Sequence, residues 1–361
     1  MSRLTIVSGL GGKLPACFLV EAGGARILLD VGEGPEPGVR PNIEPVGKVD
    51  AIFVSHAHED HAAALDLAPD LGNPPVYATK GTWANIKNCP VPEDRRRLLP
   101  LRGNAEIFGA SVTTGRCGHA PGGIWLHFAV GGGFLYTGDW SAESKVYPFD
   151  MPPQSATVVL DASYGDRDDA LDDQVAALGR MLGDGAVLPI PIGGRGPEMA
   201  LRLVELGHVK PHLCPEVRRQ AETIASGGDD AASPQAQAAI AALLRSGLPE
   251  KPDPKGITIC GDSNAEGGLA AELFARWLGS TPFIFTGHVP KKTPAHGAIA
   301  EGRARWQRWN THPRRSDNVR LARAVGARQV IPAFTDLAGL VELPHELAPA
   351  PMLRAYDIDL I

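Results

Sequence analysis

The stretch Ser55-His56-Ala57-His58-Glu59-Asp60-His61 holds three imidazoles and two carboxylates within six consecutive residues. It follows the apolar segment 49–54, which is typical of a buried strand. Alternate residues of an extended chain point the same way, so His56 and His58 can bind one ion together. The last two residues of the stretch lie where the chain should turn into a helix. Imidazole and carboxylate are ligands of zinc and its first-row neighbours, so the stretch predicts a metal site.

Length and composition indicate an ordinary globular protein. The 361 residues exceed the usual size of one domain, so we expect two domains or one with a large insertion. No apolar run approaches the roughly 20 residues of a membrane span, and we expect no membrane partner. The five cysteines form no CxxC pair, which favours a reducing cytoplasm. A net charge of −6 argues against indiscriminate polyanion binding but allows a local basic groove.

Four further side chains stand at the ends of apolar segments, as the histidine stretch does. Asp30 ends the third of three short predicted strands, and Asp161 ends the apolar run 157–160. His119 precedes one strand of a predicted hairpin, and Asp139 follows the other. Strand ends of this kind can converge on one edge of a sheet, so we expect these side chains to approach the histidine stretch.

The pattern changes from about residue 166, where predicted helices and strands begin to alternate. The predicted helices are 168–182, 193–206, 236–246 and 268–278, and the predicted strands are 186–192, 256–260 and 282–286. This alternation is typical of a parallel α/β unit, which here would be inserted into the first domain.

Together these residues resemble the metallo-β-lactamase superfamily. Asp30 matches the first motif of that superfamily, the segment 56–61 the second, His119 the third and Asp139 the fourth. Their order and their positions at strand ends make the resemblance far more specific than the histidine stretch alone.

Further segments are similar to the β-CASP nucleases within that superfamily. The segment Asp161-Ala-Ser-Tyr-Gly165 resembles their motif A, and Asn310-Thr-His312 resembles motif B. Gly194-Arg195 resembles the opening of the β-CASP insertion. The resemblance implies an α/β fold, a metallo-β-lactamase αββα sandwich over 1–161 plus 306–361. An inserted parallel α/β β-CASP domain would cover 162–305.

The resemblance also implies two divalent ions, with zinc favoured and manganese as the alternative. The implied metal ligands are His56, His58, Asp60, His61, His119 and Asp139. One ion would be held by His56, His58 and His119, and the other by Asp60 and His61. Asp139 would bridge the two ions. Two ions about 3.5–4 Å apart can clamp the attacking and leaving oxygens of an in-line displacement by hydroxide.

Acid–base roles are implied for residues beside the ions. Asp60 would align the attacking water, His312 would donate a proton or hydrogen bond to a phosphate oxygen, and Asp161 would orient His312. Asp30 would support the histidines as a hydrogen-bond acceptor rather than bind an ion itself.

The chain departs from the family at motif C, where Phe334 occupies the position of a histidine. The second ion therefore lacks one family ligand, and we expect weak or exchanging occupancy. DNA-processing members of the crosslink-repair and Artemis type also lack this histidine and carry Asp at motif A, as Asp161 does here. We therefore expect a DNA exo- or endonuclease, with an RNA-processing β-CASP ribonuclease as the alternative.

Two hypotheses from other functional classes remain. A hydrolase of small esters or thioesters would use the same metal centre, but the long unit between Asp161 and His312 favours nucleic acid. A non-catalytic partner subunit would have lost metal ligands, which this chain retains.

Candidate nucleic-acid contacts come from the basic segment 291–315, which also carries Trp306 and Trp309. These candidates are Lys291, Lys292, Arg305, Arg308, Arg314 and Arg315.

Overall fold

The computed structural model describes residues 2–36, 38–193 and 195–361, so Gly194 of the predicted insertion opening lies outside the described residues. The strands are β1 (Arg3–Ser8), β2 (Cys17–Ala22), β3 (Ala25–Leu29), β4 (Ala51–Phe53), β5 (Val76–Ala78), β6 (Arg96–Leu98), β7 (Gly103–Ile107), β8 (Ala110–Arg116), β9 (Ile124–Phe128), β10 (Phe134–Tyr136), β11 (Thr157–Asp161), β12 (Ala186–Ile190), β13 (His212–Leu213), β14 (Ile257–Gly261), β15 (Ile284–Phe285), β16 (Arg305–Trp306), β17 (Gln329–Ala333) and β18 (Asp357–Asp359). The helices are α1 (Glu59–Ala62), α2 (Lys80–Asn85), α3 (Leu171–Met181), α4 (Arg195–Glu205), α5 (Pro215–Ala225), α6 (Pro234–Arg245), α7 (Gly268–Trp277), α8 (Pro294–Ala300), α9 (Arg315–Ala324) and α10 (Glu342–Leu347).

These elements form two compact units. The first unit comprises Met1–Ala142, Tyr147–Asp168 and His312–Ile361, and the second comprises Glu143–Val146 and Asp169–Thr311. The second unit includes residues 169–305 of the insertion predicted over 162–305, whereas 162–168 lie in the first unit. It also takes in residues 306–311 and the short segment 143–146.

Two mixed sheets face each other in the first unit. One has the strand order β18-β1-β2-β3-β4-β5-β6 and the other β17-β11-β10-β9-β8-β7. Large side chains from both sheets share one core, including Phe18, Phe53, Phe128 and Tyr136, all fully buried. Burying a side chain of this size contributes about 1.5–3 kcal/mol, so this layer holds the sheets together.

Helices cover the outer faces of both sheets. Ala62 at the end of α1 and Leu65 pack with Ile52 of the first sheet. Val319 and Leu321 of α9 pack with residues of the second sheet. The result is the predicted αββα sandwich, and the predicted fold class is confirmed.

Parallel strands place the predicted site residues at one edge of each sheet. β3 pairs in parallel with β4, while β11 pairs in parallel with β10 and β17. Chain segments that leave these strands carry Asp30, His56, Asp139 and Phe334, and Asp161 is the last residue of β11. Because the carboxyl ends of parallel strands meet at the same edge, each sheet presents its set on one side.

The second unit is a smaller parallel α/β arrangement. Its central sheet has the order β12-β14-β13, and a bridge from Val187 to Phe283 adds the segment of β15, which pairs in parallel with β16. Strands and helices alternate along the chain, as predicted from the sequence. Across both units, no helix of the described residues is long and apolar enough to span a membrane.

Candidate metal centre

Asp30 is a buried carboxylate that organises the histidine stretch. Its Oδ1 accepts a hydrogen bond from Ser55 N (2.7 Å), and its Oδ2 accepts from Ser55 Oγ (2.7 Å), from Tyr136 Oη (2.5 Å) and from His61 Nδ1 (2.7 Å). The backbone of Asp30 has φ +58°, a left-handed conformation that Asp adopts more readily than most residues. Since a carboxylate only accepts, His61 carries its Nδ1 proton and turns Nε2 toward the neighbouring carboxylate of Asp139 (3.2 Å).

A first cluster of possible ligands consists of His56, His58, His119 and Asp139. His56 Nε2 lies 3.1 Å and His119 Nε2 lies 3.0 Å from His58 Nδ1. Asp139 Oδ2 lies 3.7 Å from His56 Nε2 and 3.6 Å from His119 Nε2. Four donor atoms from four residues thus converge on one point.

The chemistry of this first cluster fits a metal ion. Nitrogens bound tetrahedrally at about 2.0–2.1 Å from zinc stand roughly 3.3 Å apart, close to the separations seen here. Burial and the neighbouring imidazoles lower the pKa of His56, and burial also lowers the pKa of His58. Both rings are therefore neutral near pH 7, which is the form that binds metals.

A second cluster consists of Asp60, His61 and Asp139, and so shares one carboxylate with the first. Burial lowers the pKa of His61, but the carboxylates of Asp139 and Asp30 outweigh it and raise that pKa well above its usual value. Burial raises the pKa of Asp139, but His61 and His312 outweigh it and hold that pKa well below its usual range. Asp139 is thus an ionised carboxylate in contact with both clusters.

His312 and Asp161 form an ion pair beside these clusters. His312 Nδ1 donates to Asp161 Oδ2 at 2.9 Å and lies 3.6 Å from Asp139 Oδ2. Burial lowers the pKa of His312, but Asp161 and Asp139 outweigh it and raise that pKa to about 9. From α9, Asn318 Nδ2 donates to the backbone oxygen of Asp161 (2.8 Å), which fixes the end of β11 beneath the pair.

Phe334 lies against the second cluster at the predicted motif C position. Its ring meets the ring of His61 edge-on, with centroids 5.3 Å apart, and meets Phe18 at 6.1 Å. Only 5% of Phe334 is exposed. An apolar side chain therefore borders His61 where the resemblance calls for a histidine.

The predicted nucleic-acid contacts fall into two groups. Lys291, Lys292 and Arg305 are exposed in the second unit, where Arg308 pairs with Asp169 (3.4 Å). In the first unit, the last two candidates have acidic neighbours. Arg314 pairs with Asp317 (2.8 Å), and Arg315 with Glu346 (3.0 Å) and Asp168 (3.8 Å). Of the two tryptophans in the segment, Trp306 is 42% exposed, whereas Trp309 is buried.

Two side chains beside the centre were not predicted as site residues. The ring of Tyr164 meets His312 edge-on at 5.2 Å, and the guanidinium of Arg167 lies 4.2 Å from the centre of the Tyr164 ring. The motif A match had placed Tyr164 near the site, but no sequence signal distinguished Arg167 from other surface arginines.

The αββα sandwich and a His/Asp centre with a shared carboxylate define the class: a fold whose donor clusters could hold divalent metal ions. Residues 10–182 match the metallo-β-lactamase superfamily, so this part of the chain is a domain of that superfamily. Members of this superfamily use divalent metals, in agreement with the donors found here.

Curated relatives narrow the family further. The chain is 28% identical over 263 residues to the transcription termination factor FttA of Methanosarcina mazei, a match covering 60% of this chain and 41% of that protein. It is 34% identical over 179 residues to Ribonuclease TTHA0252 of Thermus thermophilus, covering 42% of this chain and 41% of that protein. These relatives are β-CASP nucleases, so the predicted resemblance is confirmed. The matched part spans about two fifths of the length of each relative.

A solved structure has the same fold along the whole chain. It is a protein of unknown function from Enterococcus faecalis V583, with a TM-score of 0.57, 14% identity and 99% of both chains covered. At this identity the likeness concerns the fold alone.

The predicted preference for DNA is not supported by these relatives. It depended on Asp161 and Phe334, two single positions, whereas the relatives include a ribonuclease. The alternative prediction, an RNA-processing nuclease, fits them better.

Proposed function

We propose that this chain is a metal-dependent nuclease that hydrolyses phosphodiester bonds in RNA. One observation carries the proposal: two donor clusters share the ionised Asp139, and the His312–Asp161 pair lies in contact with the same carboxylate. Relatives that include a ribonuclease support RNA as the substrate.

The two clusters would hold two divalent ions, with zinc or manganese as candidates. His56, His58, His119 and Asp139 would hold the first, and Asp60 and His61 would join Asp139 at the second. When bound, such ions neutralise phosphate charge and supply a nucleophile from water near neutral pH.

The remaining residues of the site act on protons and orientation. His312 is protonated at neutral pH, since its pKa is raised to about 9, and can donate to the departing or a non-bridging oxygen. Asp161 accepts from Nδ1, which leaves the Nε2–H group as the donor. Asp30 fixes the tautomer and the orientation of His61, and Asp60 would align the attacking water.

The proposal extends to substrate contacts and to cellular location. Tyr164 and Arg167 offer an aromatic ring and a positive charge beside His312, suited to a base and a phosphate. The second unit, with the exposed Lys291, Lys292 and Arg305, is proposed to be the β-CASP insertion and to contact the nucleic acid. The five cysteines are free thiols, which supports a reducing cytoplasmic compartment.

Cleavage of matched 5′-labelled RNA and DNA strands tests the proposal. The metal-reloaded protein should cleave RNA faster than DNA, and the His58→Ala variant should cleave neither. Equal or faster cleavage of DNA would support the hypothesis that DNA is the substrate. Hydrolysis of a small thioester, without cleavage of any RNA or DNA strand, would replace the nuclease proposal with the ester-hydrolase reading.

A further inference from the structure

The two clusters differ in how completely the protein itself encloses an ion. The first has four donor atoms, from His56, His58, His119 and Asp139, whereas the second has three, from Asp60, His61 and Asp139. Each cluster has one half-buried member, His58 in the first and Asp60 in the second, so the two differ in the number of donors and not in burial.

Phe334 closes one side of the second cluster with an apolar ring. Its ring meets the His61 ring edge-on, with the centroids 5.3 Å apart, so carbon atoms border this side of the cluster. Phe334 offers no donor atom, and the three donors of this cluster leave coordination positions of a bound ion for water or phosphate.

The backbone holds Phe334 firmly in this place. Its φ is +63°, a left-handed conformation that is unusual for a bulky side chain. Its N–H donates to the oxygen of Gly9 at 2.8 Å. A Cβ atom added at Gly9 would stand 2.7 Å from the Phe18 ring and 3.2 Å from the Phe334 ring, so the three residues pack without spare room. The packing of the fold therefore fixes the apolar ring of Phe334 beside the second cluster.

We propose that the second cluster binds its ion together with the substrate, whose phosphate oxygens supply the ligand that Phe334 cannot provide. The first cluster then holds its ion in the resting protein, and the second ion arrives with the nucleic acid. This inference rests on the proposed nuclease function. By thermodynamic linkage, the ion and the phosphate strengthen each other's binding by the same factor.

Equilibrium dialysis of metal-stripped protein against Mn²⁺, with metal counted by mass spectrometry, tests the coupling. The probe is a phosphorothioate-linked oligoribonucleotide, and a probe-free arm is run in parallel. We expect one tightly bound ion without the probe, and at least a tenfold gain in affinity for the second ion with it. Two ions bound equally tightly without the probe would overturn the proposal.

Substitution at Phe334 provides the second arm. Phe334→His adds a donor and suits the left-handed backbone better than Phe does. It should raise the affinity for the second ion at least tenfold without the probe and reduce the effect of the probe. Phe334→Leu keeps the apolar wall and should behave like the parent chain. Equal behaviour of the two variants would contradict the role given to Phe334.

The two proposals fail in distinguishable ways. Cleavage of RNA together with two tight ions in the probe-free protein would remove the coupling and leave the nuclease standing. Absence of RNA cleavage would rule out the nuclease proposal. A gain in metal affinity in Phe334→His would in that case still confirm that the missing donor causes the difference in affinity between the two clusters.

Discussion

Each donor cluster takes two residues from one seven-residue stretch, yet the clusters differ in completeness. His58 Nδ1 lies 3.1 Å from His56 Nε2 and 3.0 Å from His119 Nε2, and Asp139 brings this cluster to four donors. The other half of the stretch has three donors and an apolar neighbour. This difference shows that a linear motif determines which residues can be ligands. A residue far along the chain, here Phe334, determines how many ligands a site has.

The largest effect is expected from removing a ligand of the complete cluster. His58→Ala should abolish tight binding of the first ion and reduce RNA cleavage more than about 100-fold, because even residues that only orient a ligand cost 10–100-fold. Metal content and cleavage of labelled RNA measure both. Retention of one tight ion in this variant would show that the four-donor cluster is not the tight site.

His312→Ala should separate chemistry from metal binding. We expect RNA cleavage to fall by about 10²–10⁴-fold, as for loss of a general acid, with the metal content unchanged. His127→Ala is the matched control, since His127 is buried, belongs to neither cluster and donates to the oxygen of Gln154. Near-normal turnover of the His312 variant would mean that the histidine is structural.

Asp30→Asn should weaken the second cluster more than the first. The substitution removes the carboxylate that accepts from His61 Nδ1, and loss of such a partner costs about 10–100-fold in metal affinity. Dialysis against Mn²⁺ measures the affinities, and Asp50→Asn, at an exposed acceptor for Arg26 N, is the control. An equal loss at both clusters would contradict the selective contact.

The smallest effect is expected outside both clusters, at Asp166. Its carboxylate accepts from the backbone N–H groups of Val341, Glu342 and Leu343 at the start of α10. Asp166→Asn should cost about 1 kcal/mol in the free energy of unfolding and leave metal binding unchanged. Urea denaturation followed by fluorescence measures the loss, and altered metal affinity would show that this region communicates with the centre.

The same carboxylate gives a pH dependence of known sign. Burial raises the pKa of Asp166, but the three N–H donors outweigh it, so the pKa is lower in the folded chain than in the unfolded one. Its contribution to stability is therefore present above the unfolded pKa and is lost as the pH falls through the folded pKa. Stability of the Asp166→Asn variant should depend less on pH in that acidic range.

The structure brings the predicted ligands close together because these residues stand at the ends of strongly apolar strands. Asp30, Asp139 and Asp161 each follow a run that could only be a buried strand, and parallel pairing brings such ends together. The helix α5 was missed although Pro215 opens it and Val217, Ala221 and Ile224 repeat on its buried face. That signal was present and could have been used.

Other features follow from conformations that the pattern of residue types does not report. The segment 103–116 forms the hairpin of β7 and β8, and Phe108 and Gly109 both adopt positive φ at its turn. Phe is not a residue that marks such turns. The stacking of Arg167 on Tyr164 depends on side-chain conformation, the pairing of Arg315 with Glu346 depends on tertiary packing, and neither could be predicted.

RNA cleavage is measured against the number of bound ions. Metal-stripped protein is titrated with Mn²⁺, and the turnover of a labelled RNA strand is plotted against ions per chain. We expect little cleavage at one ion per chain and a rise in cleavage as the second ion is taken up in the presence of RNA. Full cleavage at one ion per chain, or cleavage that persists in metal-stripped protein, would contradict this expectation.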